Sequence, residues 1–187
     1  MSEQAIKQSA RDRLVTTAGA LFYQNGYRGV GIDRVIADSG VAKATFYNHF
    51  PSKDDLIVAW IEQAARFGEG FEANIAAVNP RPLLPILDAY IELALRPACM
   101  GCTFQGTAAE FPEPAHPAHA ASLTVKKAVM ARFETYAAAE GHARPKAIAE
   151  MLFLLLEGVW ASVRMFGPHA APLSHAKDAA RAILKNG

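Results

Sequence analysis

Three groups of residues have types and spacings that could do chemistry. The first runs from Gly40 to Lys53 and holds Lys43, His49 and Lys53 with no acid, interleaved with Tyr47 and Asn48. Local positive charge beside aromatic and amide side chains suits a nucleic-acid surface, because phosphate contacts supply most sequence-independent affinity. The second is Cys99-Met-Gly-Cys102, a spacing shared by redox pairs and by half of a zinc site. The chain has 2 cysteines, and its 6 histidines do not stand at zinc-finger spacing, so no structural metal is expected and no cofactor is implied. Cys102 reads most simply as a buried small apolar residue at a helix start, with a redox pair to Cys99 left open. The third is Glu113-x-x-His116, the spacing used by di-iron helical bundles. Pro112, Pro114 and Pro117 deny it a helix interior, and no second copy exists. His116 and His119 therefore read as solvated loop residues. A strained serine elbow and a phosphate-cradling glycine loop are also absent. No catalytic residue is assigned, and an all-α enzyme stands only as the alternative of a different class.

The basic run needs elements to present it. Ile32, Val35 and Ile36 fall at i, i+3, i+4 on one helical face, and Val41, Thr45 and Phe46 lie on a second short helix. Gly40 separates them, and glycine takes the left-handed conformation that a tight helix stop needs. Two helices this short bury too little alone. A platform is predicted over residues 9–25, where Leu14, Ala18, Leu21 and Phe22 share a face and Asn25-Gly26 ends the helix. Helices over 32–39 and 42–49 complete a helix-turn-helix, whose second helix enters the DNA major groove. Ser52 is placed to cap a long connector helix over 53–77, with Asp54 and Asp55 in its first turn.

The run GVAKATFYNHFPSKDDL resembles the DNA-binding signature of the TetR family of transcriptional regulators. The matching positions are Gly40, Val41, Tyr47, Phe50, Ser52, Lys53, Asp54 and Leu56. The resemblance implies that Lys43, Ala44 and Thr45 open the recognition helix and face base edges, where lysine reads guanine or phosphate and the methyl-bearing residues meet thymine. It implies that Tyr47, His49 and Lys53 hold the sugar–phosphate backbone, with Asn48 at the groove. Phe46 and Phe50 are expected to pack beneath the helix. Gly31 stands where the family often has a capping threonine, so Asp33 is expected to cap, with Arg28 and Arg34 offsetting its charge. The implied fold class is all-α: an N-terminal three-helix head over residues 1–52 and a C-terminal helical ligand-binding and dimerisation domain over 53–187. The implied function is a repressor that binds a two-fold symmetric operator on double-stranded DNA as a homodimer and is released by a small-molecule inducer. Gly101-Cys102 also resembles a thiol-sensing subgroup of the family, which makes oxidant or electrophile sensing through Cys102 an alternative.

Composition agrees with a helical regulator. Of the 187 residues, 51% are hydrophobic, and Ala and Leu outnumber β-branched clusters. No apolar run reaches the ~18 residues that span a membrane. The first residues carry no apolar secretory segment, which with two cysteines predicts a cytoplasmic protein without a membrane partner. The formal net charge of +1 does not announce nucleic acid, and a purely architectural DNA binder would show a broader basic surface. Beyond Asn79-Pro80, helices are predicted over 83–95, 103–111, 118–140 and 144–166, and a last one through Ile183. The helix over 147–166 is apolar almost all round, with Leu152, Leu155, Leu156, Val159 and Val163 in one stripe. With Ala176, Ala179, Ala180 and Ile183 of the last helix, it predicts a four-helix dimer interface. The pocket is expected to draw on Tyr90, Phe104, Phe111, Phe153 and Trp160. Glu110, Glu157 and Arg164 are its expected polar anchors.

Overall fold

The computed structural model describes residues 8–186; the first seven residues, part of the segment read above as lacking a secretory core, and Gly187 lie outside them. All regular structure among the described residues is helical. Helix α1 (Ala10–Asn25) begins where the Ser9 hydroxyl accepts from the Asp12 N–H at 3.1 Å. It stops at Gly26, whose φ of 75° disfavours a side chain. Helices α2 (Ile32–Ser39) and α3 (Lys43–His49) meet at Gly40, which is left-handed at φ 64°. Helix α4 (Lys53–Val78) opens with a full capping box between Ser52 and Asp55. Then follow α5 (Leu83–Ala94), α6 (Thr103–Glu110), α7 (Pro117–Ala139) and α8 (Pro145–Phe166). A short 3-10 turn over Ala171–His175 leads into α9 (Ala176–Asn186).

Two buried clusters organise these helices. The head core gathers Leu14, Ala18 and Phe22 of α1, Val35 of α2, Phe46 of α3, and Phe50. Phe46 is fully buried, worth about 2–3 kcal/mol of apolar burial. The cluster runs past residue 52: Leu56, Ile57 and Ile61 of α4 close it, with Phe111 and Ala118 from beyond α6. The second cluster joins α5, α7, α8 and α9 around Ile86, Ile91, Phe133, Leu152 and Ala180. Helix α4 bridges the two bodies, and α7 packs against α4, α6 and α8. No helix among the described residues is long and apolar enough to cross a membrane.

Two local expectations are corrected. Asp33 does not cap α2: Gly31 is its N-cap with no side-chain bond, and the Asp33 carboxylate accepts from Lys43 Nζ at 3.1 Å instead. A carboxylate two residues inside the helix reaches the neighbouring helix's ammonium more readily than its own first N–H groups. Nor are the two loop histidines solvated. His116 is the N-cap of α7, accepts from the Ala118 N–H at 3.2 Å and stacks on Phe111 at 4.2 Å. His119 Nδ1 lies 2.8 Å from the Phe111 carbonyl, a contact made with a proton on Nδ1. The prolines here fix a structured corner, not a free loop.

Candidate DNA-binding face and interior cavity

The face of α3 is divided by helical period. Phe46 turns inward, while Lys43, Ala44, Tyr47, Asn48 and His49 are exposed and Thr45 is half-buried. Tyr47 is 45% exposed although its ring stands edge-on to Phe46 at 5.1 Å, so its hydroxyl end is left to solvent. Phe50 is buried under the Arg11 guanidinium, 5.3 Å from the ring centre. Lys53 is half-buried at the first position of α4, where burial pulls its pKa below the ordinary lysine value and nearby Glu110 and Asp54 oppose that shift. Lys43 is held by Asp33, which raises its pKa. Arg28 and Arg34, expected to offset Asp33, are occupied elsewhere: Arg34 pairs with Asp38 at 2.6 Å, and Arg28 points to α6.

Behind the head lies a cavity of about 650 Å³ enclosed by α1, α4, α5, α6, α7 and α8. Small residues make the space: the Trp60 indole lies over Gly19, where a Cβ would fall 2.3 Å from the ring. The walls are mainly aromatic and aliphatic, with Tyr23, Trp60, Phe71, Tyr90, Phe104 and Trp160 prominent. The Tyr23 hydroxyl donates to the Gly101 carbonyl at 3.1 Å and accepts from the Met100 N–H at 2.7 Å. Burial pushes its pKa up to about 12. Tyr90 donates to the fully buried Glu72 at 2.6 Å, and Arg132 clasps the same carboxylate through Nε at 2.6 Å and Nη2 at 3.1 Å. Burial, then the Glu72 charge, drives the Tyr90 phenol far up, so both phenols are neutral at physiological pH.

The expected pocket residues are not all brought together. Tyr90, Phe104 and Trp160 line the cavity, and Cys99 and buried Cys102 lie in its wall as free thiols. Phe111 is in the head core against Tyr27. Phe153 and Glu157 form a junction with Lys126, and Gln105 Nε2 donates to the Glu157 carboxylate at 2.9 Å. Arg164 lies over Gly101 and Gly106, where a Cβ would come within 3.1 Å and 3.2 Å of its side chain. Glu110 faces the opposite way. Its carboxylate accepts from the Tyr27 N–H at 3.0 Å and the Arg28 N–H at 2.9 Å, while the Arg28 guanidinium donates to the Glu110 carbonyl. Backbone donors in the turn after α1 lack helical partners, and Glu110 supplies them. The wall residues missed in the sequence include Tyr23, Trp60 and Phe71, and the arginines Arg96 and Arg132. For the aromatic wall a signal was present: Ala64 and Gly68 stand one turn apart in a long helix, where glycine costs about 1 kcal/mol and so marks a need for space.

A short exposed face on a helix-turn-helix, joined to a hollow helical body, defines a DNA-binding transcriptional regulator. Residues 14–60 match the family model described as bacterial regulatory proteins, tetR family. A solved TetR-family transcriptional regulator from Streptomyces coelicolor superposes with a TM-score of 0.88 at 30% identity, covering 95% of each chain. The chain belongs to the TetR family of transcriptional regulators. Among curated relatives, the transposon Tn10 TetC protein of Escherichia coli is 38% identical over 61 residues, 33% of this chain and 31% of that protein. The HTH-type transcriptional regulator LmrA of Bacillus subtilis is 30% identical over 59 residues, 31% of each chain. The likeness to these two thus spans about a third of their length.

Proposed function

We propose that this chain is a ligand-responsive repressor and not an enzyme. It acts in the cytoplasm as a homodimer on a pseudo-palindromic operator and is released by a small molecule held in the cavity. The supporting observation is the placement of α6. Its first residues, Thr103 and Phe104, line the cavity, and its last, Glu110, holds the turn between α1 and α2 about 10 Å away. Anything that displaces α6 at the cavity therefore acts on the head. Residues 1–52 serve as the reading head and 53–187 as the sensing and pairing body, although the head core borrows from α4. Lys43, Ala44, Thr45 and Asn48 face the bases; Tyr47, His49 and Lys53 take the phosphates. Pairing is assigned to α8 and α9, where Leu154 is 72% exposed beside an apolar groove lined by Met151, Ala179 and Ile183. A second copy brings two recognition helices to two half-sites.

Footprinting on DNA upstream of the chain's own gene tests this reading. A protected two-fold symmetric site is expected. Diffuse coverage would indicate an architectural DNA binder, and no protection at low ionic strength would refute the proposal.

A further inference from the structure

The charge distribution around the cavity goes beyond the existence of a ligand site. Among the described residues, Arg96 and Arg132 line it and no carboxylate does. Glu72, the acid behind the wall, is engaged by three hydrogen bonds from Tyr90 and Arg132. Arg132 also lies 3.6 Å from the exposed Glu69 carboxylate, so its charge is matched by acids that do not line the space, and recruiting Glu72 to a ligand cation would break a buried set. The two wall phenols carry no negative charge at neutral pH. Glu92, in the last turn of α5 just before Arg96, is paired with Lys177 at 2.6 Å. Arg96 is solvent-exposed at the end of α5, so it sits where the cavity opens. Among the described residues, the ionic side chains lining this aromatic chamber are Arg132, already paired with Glu72 and Glu69, and Arg96 at its rim.

We propose that the cavity selects an aromatic carboxylate, its ring among Trp60, Phe71, Tyr90 and Phe104 and its carboxylate at the Arg96 end. This rests on the reading of the cavity as the regulator's ligand site. Aromatic walls alone would welcome an organic cation, since ring faces attract positive charge. Here no acid among the described residues lines the space to complete such a site, and Arg96 opposes it. A guanidinium at the opening instead offers a planar pair of donors to a carboxylate.

The chain's 2 tryptophans, Trp60 and Trp160, both line the cavity and report its occupancy directly. Three probes that share one ring system separate the outcomes: 2-naphthoate, 2-naphthalenemethanol and 2-naphthylmethylammonium. Each is titrated against the full chain by tryptophan fluorescence, with thermal shift in parallel. 2-Naphthoate is expected to bind about tenfold more tightly than the ammonium, with the alcohol between them. In Arg96→Gln, an exposed substitution, the carboxylate is expected to lose that advantage while the alcohol binds as before. Equal or tighter binding of the ammonium would overturn the ligand class and leave the cavity a ligand site. An unchanged preference in Arg96→Gln would overturn the anchor. If no probe alters the fluorescence or the melting temperature, the cavity is not a ligand site and both readings fall.

Discussion

Truncating Glu110 to alanine tests the link between sensing body and reading head most directly. The carboxylate accepts two backbone N–H groups, from half-buried surroundings at Tyr27 and from an exposed position at Arg28. A hydrogen bond to a charged group contributes about 1.5–3 kcal/mol, and solvent exposure lowers the second. Taking about 2 and about 1 kcal/mol, Glu110→Ala is expected to cost about 3 kcal/mol. The head does not detach, because Thr107 Oγ1 still donates to the Tyr27 hydroxyl at 2.7 Å and Phe111 stays in the head core. Urea unfolding should show a lower midpoint at unchanged slope. Amide exchange at Tyr27 and Arg28 should speed by about a hundredfold, the equivalent of the lost energy. Glu110→Gln, which keeps one acceptor and turns an N–H toward a donor, should lose at least half as much. With the operator and a cavity ligand in hand, both variants should narrow the difference in DNA affinity between bound and free protein. A stability change under about 0.5 kcal/mol, with unaltered exchange at those two amides, would refute the assigned clamp.

Other outcomes follow from the head and the pairing face. Asp33→Asn should release Lys43 and raise affinity for every duplex, steepening the salt dependence by about one phosphate's worth; Lys53→Ala should do the reverse, both read by fluorescence anisotropy across a salt series. Gly31→Thr meets open space at an extended N-cap, so it should raise unfolding stability by about 0.5–1 kcal/mol in urea titrations. Leu154→Arg should yield the mass of one chain in analytical ultracentrifugation with helical circular dichroism intact, and a persisting dimer would remove the α8 and α9 face as the interface.

The head was legible because local chemistry decides it. Ser52 caps where a hydroxyl residue precedes an apolar period, Gly40 takes its left-handed turn, and Phe46 and Phe50 are buried as their spacing predicts. The long helices were likewise placed to within a residue or two, since proline and glycine mark their ends. The cavity was not legible from residue type. Phe104 and Phe153 are the same side chain and both lie against the Lys126 ammonium, yet only Phe104 also lines the cavity. What separates them is which face each helix turns toward its neighbours, and that is settled by contacts far apart in sequence.

Glu110 carries the same lesson into mechanism. An acid ending a short helix before a proline looks like a polar anchor for a ligand, and nothing nearby announces two unpaired N–H groups more than 80 positions away. Its partner turn exists because Gly26 holds φ 75° and has no Cβ, which would lie 3.0 Å from the Glu110 oxygen. A carboxylate, a glycine and a turn thus fix one end of α6, while Gly101 and Gly106 seat its flank against Arg164 of α8. An eight-residue helix held at its end and along its side has little slack. Close-packed contacts of this kind do not deform continuously; they shift between discrete arrangements. Under the proposed function, a ligand that moves Phe104 must therefore either leave the clamp intact or carry the whole turn after α1 with it. That is why the response of the head to the cavity should be all-or-none per subunit, and why it should disappear with Glu110.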